Sequence, residues 1–128
     1  MSGQLKTRYV YYASIYDVYD GDSVTVDVDL GMGVWLNGQK MRLLGINSPE
    51  LRGDTRQEGI AAREFLVDLI KKYSIVPGKM KVVIKTYKDK KGKYGRYLAD
   101  LIGVEEDGNP VNLNERMVAD GHAVVAMY

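Results

Sequence analysis

One helical stripe set into an otherwise strand-patterned chain limits the folds open to this sequence. Over about Thr55 to Tyr73, apolar Ala62, Phe65, Leu66, Leu69, Ile70 and Tyr73 recur at helical spacing and define one clean face. What precedes it reads as strand. Tyr9 to Tyr19 is rich in tyrosine, valine and isoleucine, and Asp20-Gly21-Asp22 is a turn signal. Val24, Val26 and Val28 then alternate with Thr25, Asp27 and Asp29, which predicts a half-buried second strand. Asn37-Gly38 carries hairpin-turn chemistry and predicts a third strand over Lys40 to Ile46, ended by the loop at Pro49. Beyond the helix, Pro77-Gly78 breaks the pattern, and Lys81 to Tyr87 and Tyr97 to Val104 read as the fourth and fifth strands. Asn112 with Glu115 resembles a capping box opening a short helix to about Asp120; Gly121 stops it, and Ala123 to Tyr128 is a final apolar segment. This order suits an α+β, mainly β, fold: a five-stranded barrel with a helix covering one end. Pattern alone leaves other α+β folds open.

At 128 residues and 45% hydrophobic, with no linker or repeat, the chain is expected to form one domain over 1–128, with a flexible N-terminus at 1–8. There is no cysteine, and His122 is the only histidine. Thiolate zinc sites, thiol nucleophiles, disulfides and histidine pairs are thereby excluded, leaving carboxylates, guanidiniums, amines and hydroxyls. That set favours hard-cation or phosphate chemistry. The net charge is only +1, so no global basic field announces a polyanion. Lys85, Lys88, Lys90, Lys91, Lys93 and Arg96 are bunched, but a solvated loop is the ordinary reading of such a run. Met1 to Arg8 is polar and basic with no apolar leader after it, and no long apolar stretch follows. The expected setting is cytoplasmic or that of a phage-infected cell, a secreted form being left open, with no membrane partner. His122 reads as a structural or surface residue, and Asp27 and Asp29 as solvent-facing.

Three short segments concentrate chemistry. Tyr19-Asp20-Gly21-Asp22-Ser23 sets two carboxylates either side of a glycine at a strand junction, where they can converge on a cation. Arg42-Leu43-Leu44-Gly45-Ile46-Asn47-Ser48-Pro49-Glu50 puts an arginine on a strand, with an amide oxygen and a carboxylate in the loop behind it. Lys93-Tyr94-Gly95-Arg96-Tyr97-Leu98-Ala99 delivers an arginine at the mouth of a strand. Singly these are an Asx turn, a charged strand face and a basic hairpin tip.

Their order and spacing from Ile15 to Tyr128, with the glycine and alanines of Gly59 to Leu66 and the Val111-Asn112-Leu113-Asn114-Glu115 run, resemble the staphylococcal nuclease (thermonuclease) family. The resemblance implies an OB-fold barrel and a divalent-cation-dependent nuclease that hydrolyses phosphodiester bonds of DNA or RNA, single-stranded or frayed. By position, calcium would be held by Asp22, Asn47 and the carbonyl of Ser48. Glu50 matches the family's general base, Arg42 and Arg96 its phosphate-gripping arginines, Tyr94 a tyrosine of the nucleotide pocket and Lys93 a lysine near a terminal phosphate. The chemistry agrees with those roles: attack adds charge to phosphate oxygens that guanidiniums can fork onto, and water needs a carboxylate to orient and deprotonate it. A 5′-oxygen leaving group and 3′-phosphate products are inherited from the family.

The sequence also departs from the family. Asn47 stands where a metal-binding aspartate is usual, which predicts weaker calcium binding or another preferred cation, with Asp20 available to supply charge from behind. Ser48 replaces a threonine at little consequence. Met127 falls roughly where a pocket tyrosine is expected, and no third helix follows Tyr128, so a partner subunit, as in a homodimer, could cover that wall. Two rival readings remain. An OB barrel can hold single strands on aromatic platforms without cutting them; Glu50, Arg42 and Arg96 together argue against a retired site, Asn47 for one. A protein-interaction domain has only the tyrosine-rich first strand and the chain end in its favour.

Overall fold

The computed structural model describes residues 9–88 and 97–126. The expectations for Met1 to Arg8, Lys93, Tyr94, Arg96 and Met127 fall outside them. Five long strands form the framework: β1 (Tyr9–Asp20), β2 (Ser23–Gly31), β3 (Val34–Leu43), and, after the helix, β5 (Lys81–Lys88) and β6 (Tyr97–Val104). They run β3-β2-β1-β5-β6, antiparallel throughout. A short parallel pairing of β3 with β6, Met41 opposite Tyr97 through Leu43 opposite Ala99, then closes the barrel. This is the expected closed five-stranded barrel with a helix, an OB fold of the nuclease kind.

Alternation fills the interior. Val24, Val26 and Val28 of β2 point inward beside Ala13, Val82, Ile84 and Leu101 of the neighbouring strands. The long helix α1 (Arg56–Lys72), preceded by a 3₁₀ turn at Gly53–Thr55, buries Ala62, Leu66, Leu69 and Ile70, with Phe65 half-buried at the stripe's edge. Leu66, Leu69 and Ile70 each contribute roughly 1.5–3 kcal/mol. Asn112 caps α2 (Leu113–Ala119) by accepting from the Glu115 amide at 3.1 Å, as its sequence suggested.

The β2–β3 hairpin differs from expectation. Its turn lies at Met32-Gly33, not Asn37-Gly38, and β3 starts six residues earlier than Lys40. Asn37-Gly38 is instead a bulge: Val26 faces Gln39 while Val28 faces Leu36, so β3 spends one residue more than β2 over that step. Gly38 adopts φ 68° there, and its amide donates to Asp27 Oδ1 at 2.9 Å. The same glycine freedom that makes a hairpin turn makes a bulge. Three small additions had no sequence signal: β7 (Pro110–Asn112) on the free side of β6, and β4 (Ile46–Asn47) paired with β8 (Val124–Val125). Among the described residues no helix is long and apolar enough to cross a membrane.

Candidate active site

The register between β2 and β3 builds the site. Ser23 lies opposite Arg42, so the turn residue Asp22 and the strand residue Arg42 become neighbours although twenty positions separate them. Arg42 Nη1 meets Asp22 Oδ1 at 2.7 Å, with only 9% and 13% of the Asp22 and Arg42 side chains exposed. The other Asp22 oxygen accepts the Ser48 amide at 2.9 Å, and Ser23 Oγ lies 3.2 Å from Oδ1. Arg42 Nη2 reaches the Ile46 carbonyl at 3.3 Å and the side-chain oxygen of Asn47. One guanidinium thus ties the β1–β2 turn to β4.

Glycine makes this closeness possible. A Cβ on Gly21 would lie 2.7 Å from Cβ of Ser48 and 2.9 Å from that of Ala62, so α1 and both turns can meet only around a bare Cα. At Gly59 a Cβ would run into the Glu50 carbonyl, and Gly59 therefore lets α1 press against the Glu50 loop. Thr55 Oγ1 fastens that loop, donating to the Glu50 carbonyl at 2.9 Å. Gly59 was visible in sequence as the start of the family-like run Gly59 to Leu66; nothing local announces the loop it faces.

Around these residues opens a cleft of about 830 Å³, lined among others by Asp20, Asp22, Arg42, Asn47, Ser48 and Glu50. Asp22, Arg42, Asn47 and Ser48 are in direct contact. Glu50 lines the same cleft but is exposed, with Arg52 Nε 3.3 Å from its Oε2. An ion pair so open to water is weak and leaves the carboxylate able to turn. Arg96, Lys93 and Tyr94 lie outside the described residues; Tyr97, just after them, pairs with Met41 beside Arg42.

Charge in the cleft is unevenly shared. Burial, together with the hydrogen bond and repulsion from Asp22, pushes the Asp20 carboxyl up from 3.8 to about 6. Burial opposes ionisation of Asp22 too, but hydrogen bonds with Asp20, Arg42 and Ser48, and the guanidinium's charge, outweigh it and lower its pKa. Arg42 alone therefore does not neutralise both carboxylates. The remaining donors are hard oxygens, and the Ser48 hydroxyl is buried without a hydrogen-bond partner among the described residues. This set fits a hard divalent cation. It also fits a loosely held one, because no three acidic or histidine side chains cluster among the described residues and Arg42 already engages Asp22 and Asn47.

Comparison with known proteins gives the lineage. The chain is 31% identical to an uncharacterized protein of Methanocaldococcus jannaschii over 136 positions, covering 90% of this chain and 59% of that protein. The chain thus spans less than two thirds of that relative's length. Residues 40–128 match the family described as staphylococcal nuclease homologue. The match holds Arg42, Asn47, Ser48 and Glu50 but starts after Asp22, whose place in the site rests on the geometry alone. With well over half of its length inside the match, the chain belongs to the staphylococcal nuclease homologue family.

Proposed function

We propose that this protein is a divalent-cation-dependent nuclease that hydrolyses phosphodiester bonds of single-stranded or frayed DNA or RNA. The observation that carries the reading is the gathering of Asp22 from the β1–β2 turn, Arg42 from β3, Asn47 from β4, and Ser48 and Glu50 from the loop that follows, on one cleft. Arg42 stands braced at its floor by Asp22, Ile46 and Asn47, so its charge is oriented before substrate arrives. Preorganised charge of this kind acts on the oxygens that become more negative as water attacks. Glu50, exposed at the cleft's side, orients the water and takes its proton. Arg96 supplies the second guanidinium. Asp22, Asn47 and the Ser48 carbonyl would hold calcium or a similar cation, which when bound neutralises phosphate charge.

The test is incubation with single-stranded DNA and RNA, with and without calcium, beside Glu50→Gln. The expected outcome is cleavage to 3′-phosphate products, lost both to chelator and in the variant. Full cleavage by Glu50→Gln would defeat the assignment. The uncharged amide of Asn47, already engaged by Arg42, favours one second reading, a barrel that binds strands without cutting them; it predicts binding with no cleavage under any metal.

A further inference from the structure

Strand register aligns one row of side chains straight across the outer face of the barrel. Trp35 of β3 lies opposite Asp29 of β2, and Asp29 opposite Tyr12 of β1. Tyr12 lies opposite Val83 of β5, and Val83 opposite Ile102 of β6. Ala13, Val28, Val82 and Leu101, next to these residues along their strands, point into the core, so the row itself points out. Val83 and Ile102 are half-buried, whereas Tyr12 and Trp35 are 57% and 44% exposed. Trp35 and Lys81 meet above the sheet although two strands lie between theirs, the amine 5.7 Å from the ring centroid.

Charge around Tyr12 is sorted by strand. Asp27 and Asp29 stand on β2, Lys81 and Lys85 on β5, and β1 runs between. The two signs are thus about 9–10 Å apart at the backbone. Neither lysine reaches a carboxylate of its own chain among the described residues. Each aspartate spends one oxygen on a nearby amide, Asp29 on Gly31 at 2.8 Å and Asp27 on Gly38 at 2.9 Å, and keeps the other. Two charges of each sign give no net attraction to a polyanion or an anionic membrane. They do fit a partner that carries the same charges sorted the opposite way.

We propose that this outer sheet face pairs with the same face of a second copy of the chain, about a two-fold axis running along β1. Such an axis lays β2 of one copy over β5 of the other and leaves position along the strands unchanged. Register then fixes the contacts. Asp27 and Lys81 both lie opposite Ser14, so Asp27 of one copy meets Lys81 of the other, twice by symmetry. In the next row Tyr12 meets itself on the axis and Trp35 meets Ile102. Stacked sheets lie about 10 Å apart, a gap that an aspartate and a lysine span together. An axis lying across the strands would instead set β2 on β2 and oppose like charges. Tryptophan and tyrosine near the centre are the usual anchors of such a contact. A patch five strands wide, about 20 Å, is small for a stable interface, so the pairing is weak and reversible. The inference stands apart from the cleavage reading.

The experiment is sedimentation velocity of the full chain over a concentration series at low salt. Wild type is expected to dimerise with a Kd of about 1–100 μM, in keeping with a small, partly polar contact. Asp27→Lys and Lys81→Asp should each weaken the dimer by about tenfold or more. Their equimolar mixture should restore it, because each variant then meets its opposite charge on the other. Tyr12→Lys, at an exposed position, sets two cations face to face on the axis and should abolish the dimer even where urea melts show that a charge reversal disturbs folding. Val125→Lys, on exposed β8, should leave the dimer intact. Wild type that stays monomeric up to about 1 mM would overturn the proposal. So would a mixture of folded reversal variants that fails to associate. Loss of the dimer in Val125→Lys but not in Tyr12→Lys would move the interface to the chain end instead. A monomeric wild type that binds oligothymidylate or anionic vesicles, and loses that binding in Trp35→Ala, would give the face to that partner.

Discussion

Asp20 and Asp22 are neighbours with opposite titration behaviour, and the sign of each effect on stability follows. The Asp20 pKa is raised from 3.8 to about 6, so between those values the native state keeps a proton that the unfolded chain has released. Its contribution is therefore best below pH 3.8, declines as pH rises to about 6 and stays unfavourable above. Asp22, with its pKa lowered, contributes stability above 3.8 that is lost as pH falls below it. Asp20→Asn is accordingly expected to stabilise the metal-free protein at pH 8 by on the order of 1 kcal/mol, the full shift being discounted for partial exposure. At pH 4 it should change little; urea melts at the two pH values check this, and an equal effect at both would contradict it. Asn47→Asp adds a charge to the donor set and should tighten calcium binding by roughly tenfold or more, read by calorimetric titration. The three motifs that carry these residues were legible in sequence because each is compact. The Asp22–Arg42 pair was not, because only the cross-strand register brings it together.

At the scale of elements, α1 was the most legible part of the fold, since its stripe needs no knowledge of what it packs against. The β2–β3 hairpin was the least, because Asn-Gly serves a bulge as readily as a turn and only pairing decides between them. The two-residue strands β4 and β8 exist through each other, and no local pattern can signal that. What α1 does for the site likewise appears only on packing: Gly59 lets it lie against the Glu50 carbonyl. Gly59→Ala is expected to cost about 1–3 kcal/mol through overpacking, even though alanine favours a helix. If the Glu50 loop is what moves, cleavage should fall by more than the folded fraction does. Parallel losses of the two, from melts and initial rates on one preparation, would argue that the loop stays put.

For the molecule as a whole, closure of the barrel and shape of the site depend on one buried amide. Asn114 of α2 accepts the Leu101 amide at 3.1 Å and donates to the carbonyls of Leu44 at 3.0 Å and Ala99 at 2.9 Å. It thereby joins α2 to β6 and to the turn leading into Asn47 and Ser48, where Leu44 and Ala99 are already bonded to each other at 2.9 Å. In sequence it was one letter of a family-like run with no role to read. Asn114→Ala takes the partner from the Leu101 amide and the Leu44 carbonyl, while the Ala99 carbonyl still accepts from the Leu44 amide, and should cost on the order of 2–4 kcal/mol. Asn114→Asp keeps one acceptor but loses the donors, so it too should lower the urea midpoint; a near-neutral result for either would mean that water replaces the amide.

The bulge on β3 also bears on how the protein ages. Asn-Gly pairs decay when the glycine nitrogen attacks the asparagine side chain and closes a five-membered imide, a step that first needs the nitrogen to shed its hydrogen. In this chain the Gly38 amide is held against Asp27 Oδ1, whose negative charge opposes that loss, and the strand pairing on either side resists the required rotation. Asp27→Ala should therefore accelerate deamidation at the exposed Asn37 during storage at neutral pH, followed by peptide mass spectrometry, while leaving the barrel folded. Equal rates in the two proteins would show that the strand alone supplies the protection.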